Sequence, residues 1–167
     1  PMWYNDAYDE LFERNERAMA ALLDDPTPET FANAYCHYHL TIEGILAQTG
    51  YYGMQQSFSE DSHPELPSLP GLHQGFTKIR QDEGRHVGFG MTKLEELLTE
   101  EDIDPTLLSE TVMELMPLVN GITAEENEQN EDMGPTPDEL RAFASEKHVD
   151  RMSQITDASE DIPDVDT

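Results

Sequence analysis

The sequence has 167 residues, with 36 Asp or Glu against nine Lys or Arg, for a formal net charge of −27. A surface this acidic repels phosphate backbones and anionic headgroups, which argues against nucleic-acid binding and membrane-surface attachment and suits a salt-adapted, solvated exterior. The length fits one domain with a real core, and Cys36, the single cysteine, leaves no internal disulfide framework. No apolar run is long enough to cross a bilayer, and the opening PMWYNDAYDE lacks the basic and apolar regions of a secretion signal, so a cytoplasmic protein is expected.

From Tyr8 to Leu23, the residues Leu11, Phe12, Ala18, Met19, Leu22 and Leu23 fall near helical spacing with charged residues between them, an amphipathic helix. Asp24, Asp25 and Pro26 end it, and Thr27 followed by Pro28 supplies an N-cap and a proline at the first position of the next helix. That second helix is expected to reach about Gly53, with Cys36, Leu40, Glu43, Leu46, Ala47 and Gly50 on one stripe and His39 bordering it.

Ser57 to Pro70, SFSEDSHPELPSLP, has loop composition. Glu60 and His63 formally match Glu-x-x-His, but Pro64 denies them the helix that would align them, and the match reads as chance. A third helix is expected from about Leu72 to Leu98, with Phe76, Ile79, Glu83, His86, Val87, Gly90, Leu94 and Leu97 along one face. Gly84, Gly88 and Gly90 each lower helix propensity by about 1 kcal/mol relative to Ala, and their clustering suggests close helix approach or room for a bound molecule.

Asp104 and Pro105 start a fourth helix that Pro117 should kink or split. Thr136 to Glu139 form a capping box for a last helix ending near Ile155, which leaves residues 156–167 as an acidic disordered tail. With no strand pattern, the fold class is all-α, one helical domain over residues 1–155.

Glu43 stands out as an acidic residue within an apolar helical face, where burial demands a partner. A metal ion is one partner; Arg80 or Arg85 on the neighbouring helix is another. Glu83 and His86, three residues apart, project from one side of their helix. One carboxylate plus a Glu-x-x-His pair is half of the set from which dinuclear carboxylate centres are built in helical bundles, and a complete centre uses that set twice. Here it occurs once. Such centres combine carboxylates that change binding mode with neutral, directional imidazoles, and apolar neighbours keep bulk water from the open coordination positions. Tyr35, Tyr38, Tyr51 and Tyr52 add oxidisable side chains close in sequence, with packing the default role for three of the four.

Read together, YHLTIEGILAQTGYYG and IRQDEGRHVGFG resemble the ferritin-like family of ribonucleotide reductase small-subunit-like proteins, and within it the ligand-binding oxidase branch. The matching residues are Tyr38, His39, Glu43, Gly44, Leu46, Ala47, Thr49, Gly50 and Tyr51, and the resemblance covers roughly Tyr8 to Leu98. It implies a partial ferritin-like bundle in which Glu43, Glu83 and His86 are metal ligands. It also implies a manganese and an iron, or two irons, beside a bound long-chain fatty acid, with oxygen activation and an ether link between Tyr38 and a valine. Tyr38 lies five residues before Glu43, about 140° around an ideal helix, so its role rests on the resemblance alone.

The family's first Glu helix, its first Glu-x-x-His helix and the valine have no counterpart in this sequence, and the Ser57 to Pro70 loop reads as an acidic insertion. Pro1 stands ahead of any Met, and the chain is expected to be the C-terminal portion of a longer protein. The centre would then be completed by a missing N-terminal half, or by a second copy in a homodimer. Two other functions compete: a reductase small subunit that stores a radical for a large subunit, and a metal-free helical protein that only dimerises or binds a partner.

Overall fold

The computed structural model describes residues 5–58, 69–101, 103–128 and 134–160, which form five helices with no strand among the described residues. Helix α1, Asp6–Asp24, starts where the Asn5 side chain accepts a hydrogen bond from the Tyr8 amide at 2.8 Å, and it buries Leu11 and Ala18. Helix α2 covers residues 28–57, and its start is the expected one: the Thr27 hydroxyl accepts from the Thr30 amide at 3.3 Å, with Pro28 in the first turn.

Helix α2 departs from the expected pattern in its middle. It is α-helical over Pro28–Tyr35, π-helical over Cys36–Ala47 and α-helical again over Gln48–Ser57. In a π-helix each amide bonds the carbonyl five residues back, which widens the turn. The Thr41 hydroxyl follows the same register, donating to the Cys36 carbonyl at 2.9 Å. The expected single stripe therefore does not form: Cys36, His37 and every residue from Leu40 to Ile45 are buried, Leu46 and Ala47 are half-buried, and Gly50 is exposed. A segment buried this nearly all round is the central helix of its domain.

Helix α3 (Pro70–Glu100), α4 (Pro105–Glu128) and α5 (Pro137–Glu160) pack around that segment. Leu40 and Ile45 of α2 share one core with Leu11, Leu94, Leu115 and Ile155. Pro117 does not split α4, which runs unbroken past it. The carbonyl left without a donor belongs to Met113, an exposed residue, where water can satisfy it. The capping box of α5 is present: the Glu139 carboxylate accepts from the Thr136 amide at 2.8 Å, and the Thr136 hydroxyl accepts from the Glu139 amide at 3.3 Å.

Helix α5 continues to Glu160, beyond the expected end at Ile155, while residues 161–167 lie outside the described residues. The Glu60 and His63 match and Pro1 lie outside them too. No helix among the described residues is long and apolar enough to cross a membrane.

Cys36 is fully buried, and burial pushes its thiol up to about 12. A buried neutral thiol is a poor nucleophile. Iodoacetamide at neutral pH should leave the native chain unmodified by mass spectrometry and add one group after denaturation; comparable labelling of both states would show that the α2 core opens readily.

Candidate metal centre

Glu43 comes from the π-helical segment, and Glu83 and His86 come from α3, which packs against it. One ligand atom from each of the three lies within 4.8 Å of the others. His86 Nδ1 is 3.3 Å from Glu43 Oε1 and 3.5 Å from Glu83 Oε2. The Glu43 side chain is only 9% exposed, whereas that of His86 is 51% exposed. His86 therefore does not turn into the interior, as an inward-facing ligand pair would require: it lies against Glu43 on an exposed side of the bundle.

The arginine alternative fails. Arg80 bonds the Gln55 side-chain oxygen at 2.5 Å and that of Gln48 at 3.4 Å, and Arg85 pairs with Asp82 at 3.0 Å. Glu43 is held instead by two imidazoles, through Oε2 to His39 Nδ1 at 2.7 Å and through Oε1 to His86. On Glu83, Oε1 accepts from the Tyr51 hydroxyl at 3.4 Å, while Oε2 is buried without a hydrogen-bond partner. A buried carboxylate oxygen that receives no hydrogen bond, facing a second carboxylate and the His86 imidazole 3.5 Å away, suits a cation. The donor set of two carboxylates and one imidazole thus fits manganese or iron.

The π-helical turn also changes the position of Tyr38. On an ideal α-helix five residues would carry it well away from Glu43, but the wider turn of bonding five residues back brings such pairs to the same side of the helix. The negative charge of Glu43, then partial burial and a hydrogen bond to Glu43, hold the Tyr38 phenol above its usual range. Burial first, then the Glu83 charge, does the same for Tyr51. Both phenols therefore keep their proton at neutral pH. Tyr52 is a packing residue, stacked on Phe143 with ring centroids 4.4 Å apart.

Sequence reading missed Tyr51 as a partner of Glu83 and gave His39 no role beyond bordering the stripe. His39 had a signal, its four-residue spacing from Glu43. Tyr51 had none outside the resemblance, because the change of register within α2 hides which side it occupies. The three clustered glycines divide as well: a side chain at Gly84 or Gly88 would meet open space, and of the three only Gly90 marks a close approach, to His39.

A cavity of about 350 Å³ lies between α1, α2 and α4, lined by Arg14, Arg17, His37 and Glu114 among others, and none of the three grouped residues borders it. Its charged lining does not suit an acyl chain.

No protein-family model matches the chain. Solved structures do. A mutant of an R2-like ligand-binding oxidase with an aerobically reconstituted Mn/Fe cofactor matches with TM-score 0.78 and 28% identity, over 90% of this chain and 54% of that one. Another mutant of such an oxidase, with an anaerobically reconstituted Mn/Fe cofactor, matches with TM-score 0.78 and 30% identity, over 90% and 53%. A third, with a non-activated Mn/Mn cofactor, gives 0.77 and 29% over the same shares, 90% and 53%. The chain spans about half the length of the structures it matches. The fold is the ferritin-like helical fold of R2-like ligand-binding oxidases, as the Tyr38 to Tyr51 signature implied.

Proposed function

We propose that this chain supplies half of a dinuclear Mn/Fe or di-iron carboxylate centre in an oxygen-activating oxidase similar to the R2-like ligand-binding oxidases. The observation that carries the reading is the convergence of Glu43, Glu83 and His86 within 4.8 Å, together with a buried Glu83 Oε2 that receives no hydrogen bond. Glu43, Glu83 and the His86 imidazole would hold the metal. When bound, a pair of divalent ions supplies open positions for dioxygen and two of the four electrons that reduce it to water.

The protein's own groups do the rest. Tyr51 ties down one oxygen of Glu83 and leaves the other free to face the cation. Tyr38, protonated and beside Glu43, is the residue proposed to be oxidised. Its O–H bond and an aliphatic C–H bond of a covering segment break, one C–O bond forms, and the two protons and two electrons released complete the reduction of dioxygen with two further protons from solvent. A long-chain fatty acid next to the centre belongs to this proposal, as does the oxidoreductase class.

The open side has the character of an interface. Ile79, Glu83, His86 and Phe89 form one stripe along α3, with Ile79 43% and Phe89 52% exposed, and Tyr38, 37% exposed, adjoins it from α2. We take its occupant to be the portion of the matched oxidases to which this chain has no counterpart, bringing the second Glu and Glu-x-x-His set; a second copy is the competing outcome.

Metal analysis of the chain after aerobic Mn(II) and Fe(II) loading, alone and mixed with the N-terminal half of a matched oxidase, tests this. The expected result is two metals per complex and, after oxygen exposure, a covalent species whose mass is the sum of the two chains less two hydrogens, with a crosslinked peptide containing Tyr38. Two metals per pair of identical chains would favour the homodimer. Absence of metal from every arrangement would leave a metal-free interaction domain.

A further inference from the structure

We infer that His39 is a positioning residue for the proposed centre: its ring holds Oε2 of Glu43, so that this carboxylate offers Oε1 alone toward a cation. The inference rests on the reading of Glu43 as a ligand and adds a residue and a binding mode to it. His39 Nδ1 lies 2.7 Å from Glu43 Oε2, while Glu43 Oε1 faces His86. An ionised carboxylate only accepts, so this contact calls for a hydrogen on Nδ1 of His39.

The ring has little freedom to leave. It is bracketed by Tyr35, Tyr38 and Phe89, with ring centroids 5.5, 5.0 and 5.6 Å away. On its remaining side stands Gly90, where an added Cβ would come within 2.2 Å of His39 Cβ. A carboxylate held this way would present one oxygen to a cation, since turning Oε2 away from the ring would break the 2.7 Å hydrogen bond to His39. Partners of metal-bound carboxylates typically carry about 10- to 100-fold of metal affinity.

Two measurements on the chain, alone and with the complementary oxidase half, decide it. In the metal-free protein, nitrogen NMR of the His39 ring should show hydrogen on Nδ1. In Mn(II) titrations followed by EPR, His39→Ala should weaken binding about 10- to 100-fold. His39→Asn, whose amide can donate from nearly the Nδ1 position, should recover most of that loss. Circular dichroism checks that each variant folds, and the rescue by Asn separates positioning from simple packing. Hydrogen on Nε2, wild-type affinity in His39→Ala, or no rescue in a folded His39→Asn would overturn the inference while leaving Glu43 a ligand. Undiminished Mn(II) binding by Glu43→Gln and Glu83→Gln, or none by the wild type in either arrangement, would instead remove the centre itself.

Discussion

Glu43→Gln should leave the metal-free chain folded, with stability within about 1 kcal/mol of wild type or above it, while weakening Mn(II) binding by roughly 100-fold or more. The two effects oppose each other because of where the carboxylate sits. Its side chain is 9% exposed, and one of its oxygens shares a group of atoms no more than 4.8 Å apart with the Glu83 carboxylate. Without a cation, two carboxylates that close repel, and burial adds a desolvation cost. Glutamine relieves both, and its amide oxygen can still accept from His39 Nδ1, so the hydrogen bond at 2.7 Å survives the change.

A structural role predicts the reverse sign. Were Glu43 present to pair with protonated imidazoles, its neutralisation would cost about 1–3 kcal/mol and metal would be irrelevant. Urea unfolding in chelator, set beside an Mn(II) titration, reads both quantities. A spectrophotometric titration of the phenols gives an independent check, because the Glu43 charge is the leading cause of the raised Tyr38 value. Removing that charge should bring Tyr38 down toward the ordinary tyrosine range. An unmoved Tyr38 would mean that the two side chains do not sense each other in solution.

The parts of this molecule that could be read from sequence are those with local causes. Thr27 and Pro28 mark the start of α2, and Thr136 with Glu139 marks the start of α5, because a cap is made by residues three apart whatever surrounds them. The three-residue spacing of Glu83 and His86 likewise placed them on one side of α3. The π-helical segment was not legible, since no residue type in CHYHLTIEGILA announces bonding five residues back. A stripe drawn with α-helical spacing consequently left out Ile42 and Ile45 and set Tyr38 apart from Glu43. Nor could sequence choose between a metal and an arginine beside Glu43: Arg80 is long enough to reach several acceptors and takes Gln48 and Gln55. The exposure of His86 depends on what covers α3, which is not a property of the helix itself.

Gly90→Ala should destabilise the chain by about 1–3 kcal/mol, against a helix-propensity trend that favours Ala by about 1 kcal/mol. Gly84→Ala and Gly88→Ala, on the same helix, should follow the trend and stabilise by up to about 1 kcal/mol each. The difference lies across the helix contact. At Gly84 and Gly88 an added methyl meets nothing within 4 Å, but at Gly90 it would stand 2.2 Å from His39 Cβ and 2.6 Å from its Cγ. Those atoms sit near the α2 backbone and cannot rotate away, and the rings around His39 bar a change of rotamer. The strain is relieved only if α3 withdraws from α2. That withdrawal would also lengthen the 3.3 Å approach of His86 to Glu43, so Gly90→Ala should lose metal affinity together with stability. Thermal unfolding of the three variants in chelator, followed by Mn(II) titration of each, checks the pattern. Wild-type stability in Gly90→Ala would mean that the helices stand farther apart in solution than the close approach at His39 requires, and the positioning of Glu43 by His39 would lose its support.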